Sequence, residues 1–153
     1  FMVHAGDTYI ISKDLQHVRN VIEVHRRWDA SATLLVTRVG DPRPYGIVGG
    51  REVDEGVWEV ERLEEKPEKP WSNLAILPLY LFQPEIFDSL SETPPGKGGE
   101  IQLTDGISKL LERGGRVMAV ELPSDSPRLD IGSPEALWEA VEISYKVASG
   151  QTP

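Results

Sequence analysis

The order of apolar and polar residues along this chain predicts strands and helices in alternation. Compact apolar runs and runs of alternating polarity predict six strands, at residues 1–5, 32–39, 45–53, 57–63, 73–82 and 116–122. Apolar residues at helical spacing predict four helices, at residues 12–28, 84–90, 103–113 and 133–148. The Asp54-Glu55-Gly56 segment lies between two alternating runs, so it predicts the turn of a hairpin.

This order of elements predicts the fold class. Because strands alternate with helices, we expect an α/β fold with a Rossmann-like mixed, mostly parallel sheet, flanked by helices and carrying one β-hairpin insertion. We expect the first strand to be buried and Ser12 to cap the first helix. Pro78 lies inside the apolar run 73–82 and predicts a bulge or a sheet edge there, because proline has no N–H to donate.

Composition narrows the class of protein. The chain has 153 residues, enough for one domain with a substantial core. Its net charge of −9 argues against non-specific binding to nucleic acid. The absence of cysteine excludes disulfides and thiolate metal sites, so we expect a reducing, cytoplasmic compartment. We also expect no membrane span, since the sequence contains no long apolar run.

Two aspartates follow or precede predicted core elements. Asp7 comes directly after the first apolar strand, and Asp130 stands in front of Ile131-Gly132. Carboxylates at the ends of strands point into the usual ligand crevice of α/β proteins, and two of them together can hold Mg²⁺. Spacing alone also allows the alternative of two unrelated turn aspartates.

A second group of polar residues flanks the predicted hairpin. Glu65-Lys66-Pro67 follows its last strand, and Tyr45-Gly46 opens its first. Lys66 offers a compact charge for a phosphate, Glu65 can accept hydrogen bonds from hydroxyls, and Gly46 allows close approach of a ligand. The alternatives are a solvated charged run and a plain β-bulge.

The most specific motif leads into the start of the third predicted helix. It reads Pro95-Gly96-Lys97-Gly98-Gly99-Glu100-Ile101-Gln102-Leu103-Thr104-Asp105. Together with Glu65-Lys66-Pro67 upstream and Asp130-Ile131-Gly132 downstream, this motif resembles the sugar-1-phosphate nucleotidylyltransferases. The similarity is greatest to the glucose-1-phosphate uridylyl- and thymidylyltransferases, and it extends from Phe1 to about Ala148.

The resemblance implies a nucleotide-diphospho-sugar transferase type of fold and a set of roles. It implies that UTP or dTTP donates a nucleotidyl group to a sugar-1-phosphate with release of pyrophosphate. Glucose-1-phosphate is the sugar phosphate that the resemblance favours. The catalytic residues implied are Asp7, Lys66 and Asp130. Asp7 and Asp130 would hold the Mg²⁺ cofactor. The substrate-binding residues implied are Tyr45, Gly46, Glu65, Lys66, Asn73 and Glu100. The partners implied are the sugar-1-phosphate and a nucleoside triphosphate, and relatives often form homo-oligomers.

The chain also departs from the family pattern. Pro78 stands where relatives have glycine, and Thr8 where thymidylyltransferases often have asparagine. The sequence contains no glycine-rich, arginine-bearing loop of the kind that holds the triphosphate. We therefore expect residues 1–149 to be the C-terminal, sugar-phosphate- and metal-binding part of the domain, paired with a further N-terminal segment, and 150–153 to be a tail.

Two alternatives to an enzyme remain open. The first is a non-catalytic module that binds a sugar phosphate or nucleotide sugar for regulation, which Pro78 and the missing loop favour. The second is a scaffold whose 91–99 loop and Trp71 contact a partner protein.

Overall fold

The computed structural model describes residues 1–96, 99–124 and 126–151, and only the backbone of Asp130. Within these residues the strands are Met2–His4 (β1), Thr8–Ile10 (β2), Ala32–Arg38 (β3), Gly46–Asp54 (β4), Val57–Glu65 (β5), Leu74–Phe82 (β6), Val117–Glu121 (β7) and Arg128–Asp130 (β8). The α-helices are Gln16–Arg27 (α1), Glu85–Ser91 (α2), Leu103–Glu112 (α3) and Pro134–Ala148 (α4), with a 3-10 turn at Lys13–Leu15.

Six strands form one mixed sheet in the order β1-β6-β3-β7-β5-β4, and β4 also pairs with β6. The predicted hairpin is present as β4 and β5. The prediction of a mostly parallel sheet is wrong, because β3–β7 is the one parallel pairing among the described strands. Parallel pairing needs a long crossover, whereas β3 to β6 follow one another without an intervening helix.

Helices pack on both faces of this sheet. Neighbouring residues of a strand point to opposite faces, so a single strand contributes to both cores. Leu34 packs in the core on the side of α2 and α3, which also includes Ile107. Leu35 packs in the core on the side of α1, which also includes Val21. All four side chains are buried.

The first strand is at an edge of the sheet, so its predicted burial is wrong. β1 pairs with β6 on one side, and its three residues are exposed. Phe1 just before it stacks on Phe87, with 5.2 Å between ring centroids.

The first helix begins later than predicted. Asp14 and Leu15 have φ angles of 49° and 55°, which interrupt the helical path, and α1 starts at Gln16. Ser12 makes no capping hydrogen bond, and its hydroxyl instead pairs with Nδ1 of the buried His17.

The bulge predicted at Pro78 is present in β6. Leu34 pairs with Tyr80 while Leu35 pairs with Leu77, so Pro78 and Leu79 are inserted between the two pairs. The Pro78 carbonyl accepts a hydrogen bond from the Ala5 N–H at 2.9 Å. This bond continues the pairing of β1 with β6 by one residue beyond His4.

A two-stranded sheet of β2 and β8 was not predicted, because three-residue strands show no periodicity. It pairs Thr8 with Asp130, and the Ile131 N–H donates to the Asp7 carbonyl at 2.9 Å. Helix α4 starts as predicted, with the Ser133 hydroxyl accepting from the Ala136 N–H. In the part of the chain that is described, no helix is long and apolar enough to cross a membrane.

Candidate active site

A cavity of about 490 Å³ lies where the ends of β1, β4, β5 and β8 meet the bulge of β6. Five of the predicted site residues line it: Asp7, Tyr45, Gly46, Glu65 and Lys66. Asp7, the Tyr45-Gly46 pair and the Glu65-Lys66 pair are far apart in sequence. The fold brings all three to the same cavity. We call this space the site cavity.

Lys66 follows the last residue of β5 and has an unusual backbone. Its φ of 43° is in the left-handed region, which side-chain-bearing residues rarely adopt. The Lys66 N–H donates to the Tyr45 carbonyl at 3.1 Å, which ties this residue to the start of β4. The side chain is 53% exposed and its Nζ lies 3.8 Å from Glu65 Oε1, so the ammonium can still reach an incoming anion.

Glu65 is the better buried partner, with a side chain 17% exposed. Its Oε2 accepts a hydrogen bond of 2.6 Å from the hydroxyl of Thr104 at the start of α3. A Cβ at Gly46 would lie 2.8 Å from that oxygen and 2.9 Å from the Thr104 hydroxyl. A side chain at position 46 would therefore displace the Glu65–Thr104 pair, a contact that the sequence did not reveal.

Two tyrosines and an arginine complete the polar wall. Burial, with a smaller contribution from the Glu65 carboxylate, raises the pKa of Tyr80 to about 12, so its hydroxyl keeps its proton at neutral pH. Arg128 packs over the Tyr45 ring, with its guanidinium carbon 5.4 Å from the centroid, and donates to the Tyr45 hydroxyl at 3.2 Å. Among the described residues, no carboxylate lies within 4 Å of the Arg128 guanidinium.

The two aspartates predicted to bind metal lie in adjacent backbone segments. Asp7 lines the site cavity, and the β2–β8 pairing brings the backbone of Asp130 beside it. The Asp130 side chain lies outside the described residues, and these contain no group of three or more histidine and carboxylate residues suited to a metal. Hard oxygen ligands of this kind fit Mg²⁺, which usually binds one or two carboxylates together with substrate phosphates.

The structure does not bring Asn73 or Glu100 to the site cavity. Asn73 lies in a separate groove beside Trp71, where its Oδ1 accepts from Arg38 at 3.4 Å. Glu100 is exposed, and its backbone carbonyl accepts a hydrogen bond from the Gly96 N–H. Asn73 directly precedes β6 and Glu100 precedes α3, and neither is among the residues that line the site cavity. Lys97 and Gly98 of the same motif lie outside the described residues.

Sequence reasoning gave no site role to Thr104, Tyr80 or Arg128, which all line the cavity. Thr104 was part of the quoted motif, but only as a helix start. Arg128 and Tyr80 lie on strands whose pairing decides which side chains face the cavity. Arg128, two residues before Asp130, could have been found from the two-residue period of a strand, had β8 been recognised.

The fold is of the α/β type, and its site cavity has a wall of acidic, basic and tyrosine side chains. The family model described as Nucleotidyl transferase matches residues 1–146, and the chain belongs to this family.

Individual relatives agree with this assignment. A Methanocaldococcus jannaschii protein is 40% identical over 136 residues, 86% of this chain and 46% of its own. The UTP–glucose-1-phosphate uridylyltransferase of Pseudomonas aeruginosa is 39% identical over 67% of this chain and 36% of its own. The solved structure of a UDP-glucose pyrophosphorylase complexed with UDP-glucose superposes with a TM-score of 0.85 and 33% identity, covering 95% of this chain and 56% of that one. The chain thus spans about half the length of these relatives.

Proposed function

We propose that this chain forms the sugar-phosphate- and metal-binding part, residues 1–149, of an enzyme that transfers a nucleotidyl group from UTP or dTTP to a sugar-1-phosphate. Glucose-1-phosphate is the substrate that the names of its relatives favour. The observation that supports the proposal is the site cavity, which Lys66, Glu65 and Asp7 all line, with the Lys66 Nζ 3.8 Å from Glu65 Oε1.

The charges of the cavity suit a sugar phosphate. Lys66 supplies a point charge for the phosphate, and Arg128 adds a second cation to the lining of the cavity. Glu65 accepts hydrogen bonds from sugar hydroxyls, which a phosphate alone would not offer. The Tyr80 hydroxyl, protonated at neutral pH, is a donor in the same wall. The protein as a whole carries −9, so binding an anion depends on this local set of cations.

Asp7 and Asp130 are the residues that would hold Mg²⁺. When bound there, the ion neutralises negative charge that develops on the phosphate oxygens. The backbone pairing of β2 with β8 supports this assignment, because it sets Asp130 opposite Thr8, the residue that follows Asp7.

The reaction needs no protein nucleophile. An oxygen of the sugar phosphate attacks the α-phosphorus of the nucleoside triphosphate, a new P–O bond forms, and the bond to the leaving pyrophosphate breaks. The protein contributes position and charge: Lys66 orients the attacking phosphate, and Glu65 holds the sugar. We assign base and triphosphate binding to a segment outside residues 1–149, since the relatives are about twice as long.

Calorimetric titration of this chain with glucose-1-phosphate, with and without Mg²⁺, tests the proposal. We expect binding that is weakened at least about tenfold in Lys66→Ala, because a charge-assisted contact to the phosphate is lost. Lys69→Ala, which removes an exposed lysine three residues away, is the matched control and should bind as the unaltered chain does. Absence of binding, or equal binding by both variants, would contradict the proposal.

One observation favours the non-catalytic binding module as the second candidate. Pro78 lines the site cavity, at a position where the resemblance to the family implies glycine. Turnover by the full-length protein distinguishes the candidates: the enzyme should lose turnover in Asp7→Ala, whereas a binding module would show no turnover even before substitution.

A further inference from the structure

We propose that Thr104 is a positioning residue that orients the Glu65 carboxylate for recognition of the sugar hydroxyls. The inference rests on the proposed function, because it gives Glu65 a sugar to recognise. It assigns a role to a residue that the 95–105 motif contains but that the family resemblance does not name as substrate-binding.

The contact between the two side chains is short and sheltered. Thr104 is 7% exposed, and its hydroxyl donates to Glu65 Oε2 at 2.6 Å. That distance is typical of a charge-assisted hydrogen bond between a hydroxyl and a carboxylate. Thr104 is the second residue of α3, whose apolar face packs in the sheet core, so the hydroxyl is held by a rigid element.

The surroundings leave this pair just enough space. At Gly46 a Cβ would come within 2.8 Å of Glu65 Oε2, 2.9 Å of the Thr104 hydroxyl and 3.1 Å of Ile76 Cδ1. The absence of a side chain on β4 therefore lets a helix residue reach across to a strand residue. Since the three residues come from three different elements, the pair is a product of the fold and not of local sequence.

The hydrogen bond decides which carboxylate oxygen meets the substrate. Oε2 is engaged by Thr104, which leaves Oε1, 3.8 Å from the Lys66 ammonium, as the oxygen that we assign to the sugar. A sugar whose phosphate is bound by Lys66 brings its nearest hydroxyls to that oxygen. Without the Thr104 hydroxyl the carboxylate would rotate among several orientations, and each sugar hydroxyl bond would have to restrict it again.

Two variants of this chain test the inference without changing the side-chain volume much. Thr104→Val removes the hydroxyl and keeps the shape, whereas Thr104→Ser keeps the hydroxyl. The first measurement needs no ligand: three-bond NMR couplings report whether the Glu65 side chain occupies one rotamer or averages over several. We expect one rotamer in the unaltered chain and in Thr104→Ser, and averaging in Thr104→Val.

The second measurement compares affinity for glucose-1-phosphate with affinity for inorganic phosphate. Both ligands use Lys66, but only the sugar uses Glu65, so the ratio of the two affinities isolates the hydroxyl contacts. We expect Thr104→Val to lower this ratio about tenfold, while Thr104→Ser restores it.

The outcomes separate this inference from the proposed function. An unchanged rotamer or an unchanged ratio in Thr104→Val would overturn the role of Thr104, and so would Thr104→Ser behaving like Thr104→Val. If the unaltered chain binds neither ligand, the proposed function fails, and the rotamer measurement alone then decides whether Thr104 orients Glu65.

Discussion

Lys66 combines a strained backbone with the charge that the proposed reaction needs. Its φ of 43° costs an ordinary residue on the order of 1 kcal/mol, a cost that glycine does not have. The hydrogen bond from its N–H to Tyr45 and the buried Pro67 that follows hold the chain in this conformation. A residue kept in a strained conformation at a cavity is consistent with selection for function over stability.

Substitution of Lys66 should therefore separate stability from binding. Lys66→Gly and Lys66→Ala both remove the ammonium, so both should lose glucose-1-phosphate binding. Lys66→Gly should nevertheless have a free energy of unfolding about 1 kcal/mol higher than Lys66→Ala, because glycine adopts the positive φ without strain. Urea denaturation of the two variants measures the difference, and equal stabilities would show that the backbone here is not strained.

Substitution of Gly46 should reduce binding much more than it reduces stability. In Gly46→Ala the new methyl group would meet Glu65 Oε2 and the Thr104 hydroxyl, which are ends of side chains that can move aside. We expect a modest loss of stability but at least about a tenfold loss of glucose-1-phosphate affinity, because Glu65 must leave its position. Gly40→Ala is the control, since a Cβ there meets nothing within 4 Å. Calorimetry on both variants gives the comparison, and equal affinities would contradict the role of Gly46.

The candidate site was predictable from sequence only where short motifs carry it. Glu65, Lys66, Gly46 and Asp7 belong to short sequence motifs, and all four residues line the cavity. Asn73 also stood in a motif-like string but lies in another groove, because the direction of a side chain before β6 depends on strand pairing.

At the scale of elements, helix α1 is held to the sheet by a buried histidine. His25 Nδ1 pairs with the buried Thr33 hydroxyl at 2.9 Å, and its Nε2 lies 3.2 Å from Gln83 Nε2. Burial lowers the pKa of His25, the chain's amino terminus lowers it further, and Asp29 opposes the shift. Burial and His4 likewise lower the pKa of His17 on the same helix.

These shifts predict how stability depends on pH. A histidine with a lowered pKa binds fewer protons in the folded than in the unfolded state, so its contribution to stability is complete above the unfolded pKa of about 6.5 and is lost as pH falls below it. We expect the urea midpoint to decrease from pH 7.5 to pH 5.5. His25→Gln should show a smaller decrease over the same range, and an equal decrease would exclude His25 as a source of the effect.

Most elements could be predicted from periodicity, and the exceptions have physical causes. The strands of the hairpin, β3, β6 and α3 follow the predicted runs closely, because each buries a regular apolar face. The three-residue strands β2 and β8 are too short for any period and exist only because they pair with each other. The interrupted start of α1 depends on the positive φ angles of Asp14 and Leu15, which the sequence around them does not predict.

At the scale of the whole molecule, the sheet is the middle layer between α1 on one side and α2 with α3 on the other. The sequence indicated this layering through strands that are apolar on both faces, such as β3. It did not indicate strand direction, because direction depends on which strands become neighbours, and that is decided by contacts far apart in sequence. The site cavity lies at the end of this layered body, where four strand ends meet the bulge of β6.

If the layers form one cooperative unit, damage to either core should destabilise both. Leu34 and Leu35 are adjacent in β3 and fully buried in opposite cores, so Leu34→Ala and Leu35→Ala should each lower the free energy of unfolding by about 2–5 kcal/mol. Trp138 on α4 is 73% exposed, and Trp138→Ala should change the free energy of unfolding by less than about 0.5 kcal/mol. Circular dichroism and tryptophan fluorescence should report coincident transitions for both leucine variants. Loss of α1 alone in Leu35→Ala, seen as two separate transitions, would show instead that the α1 layer unfolds independently of the sheet.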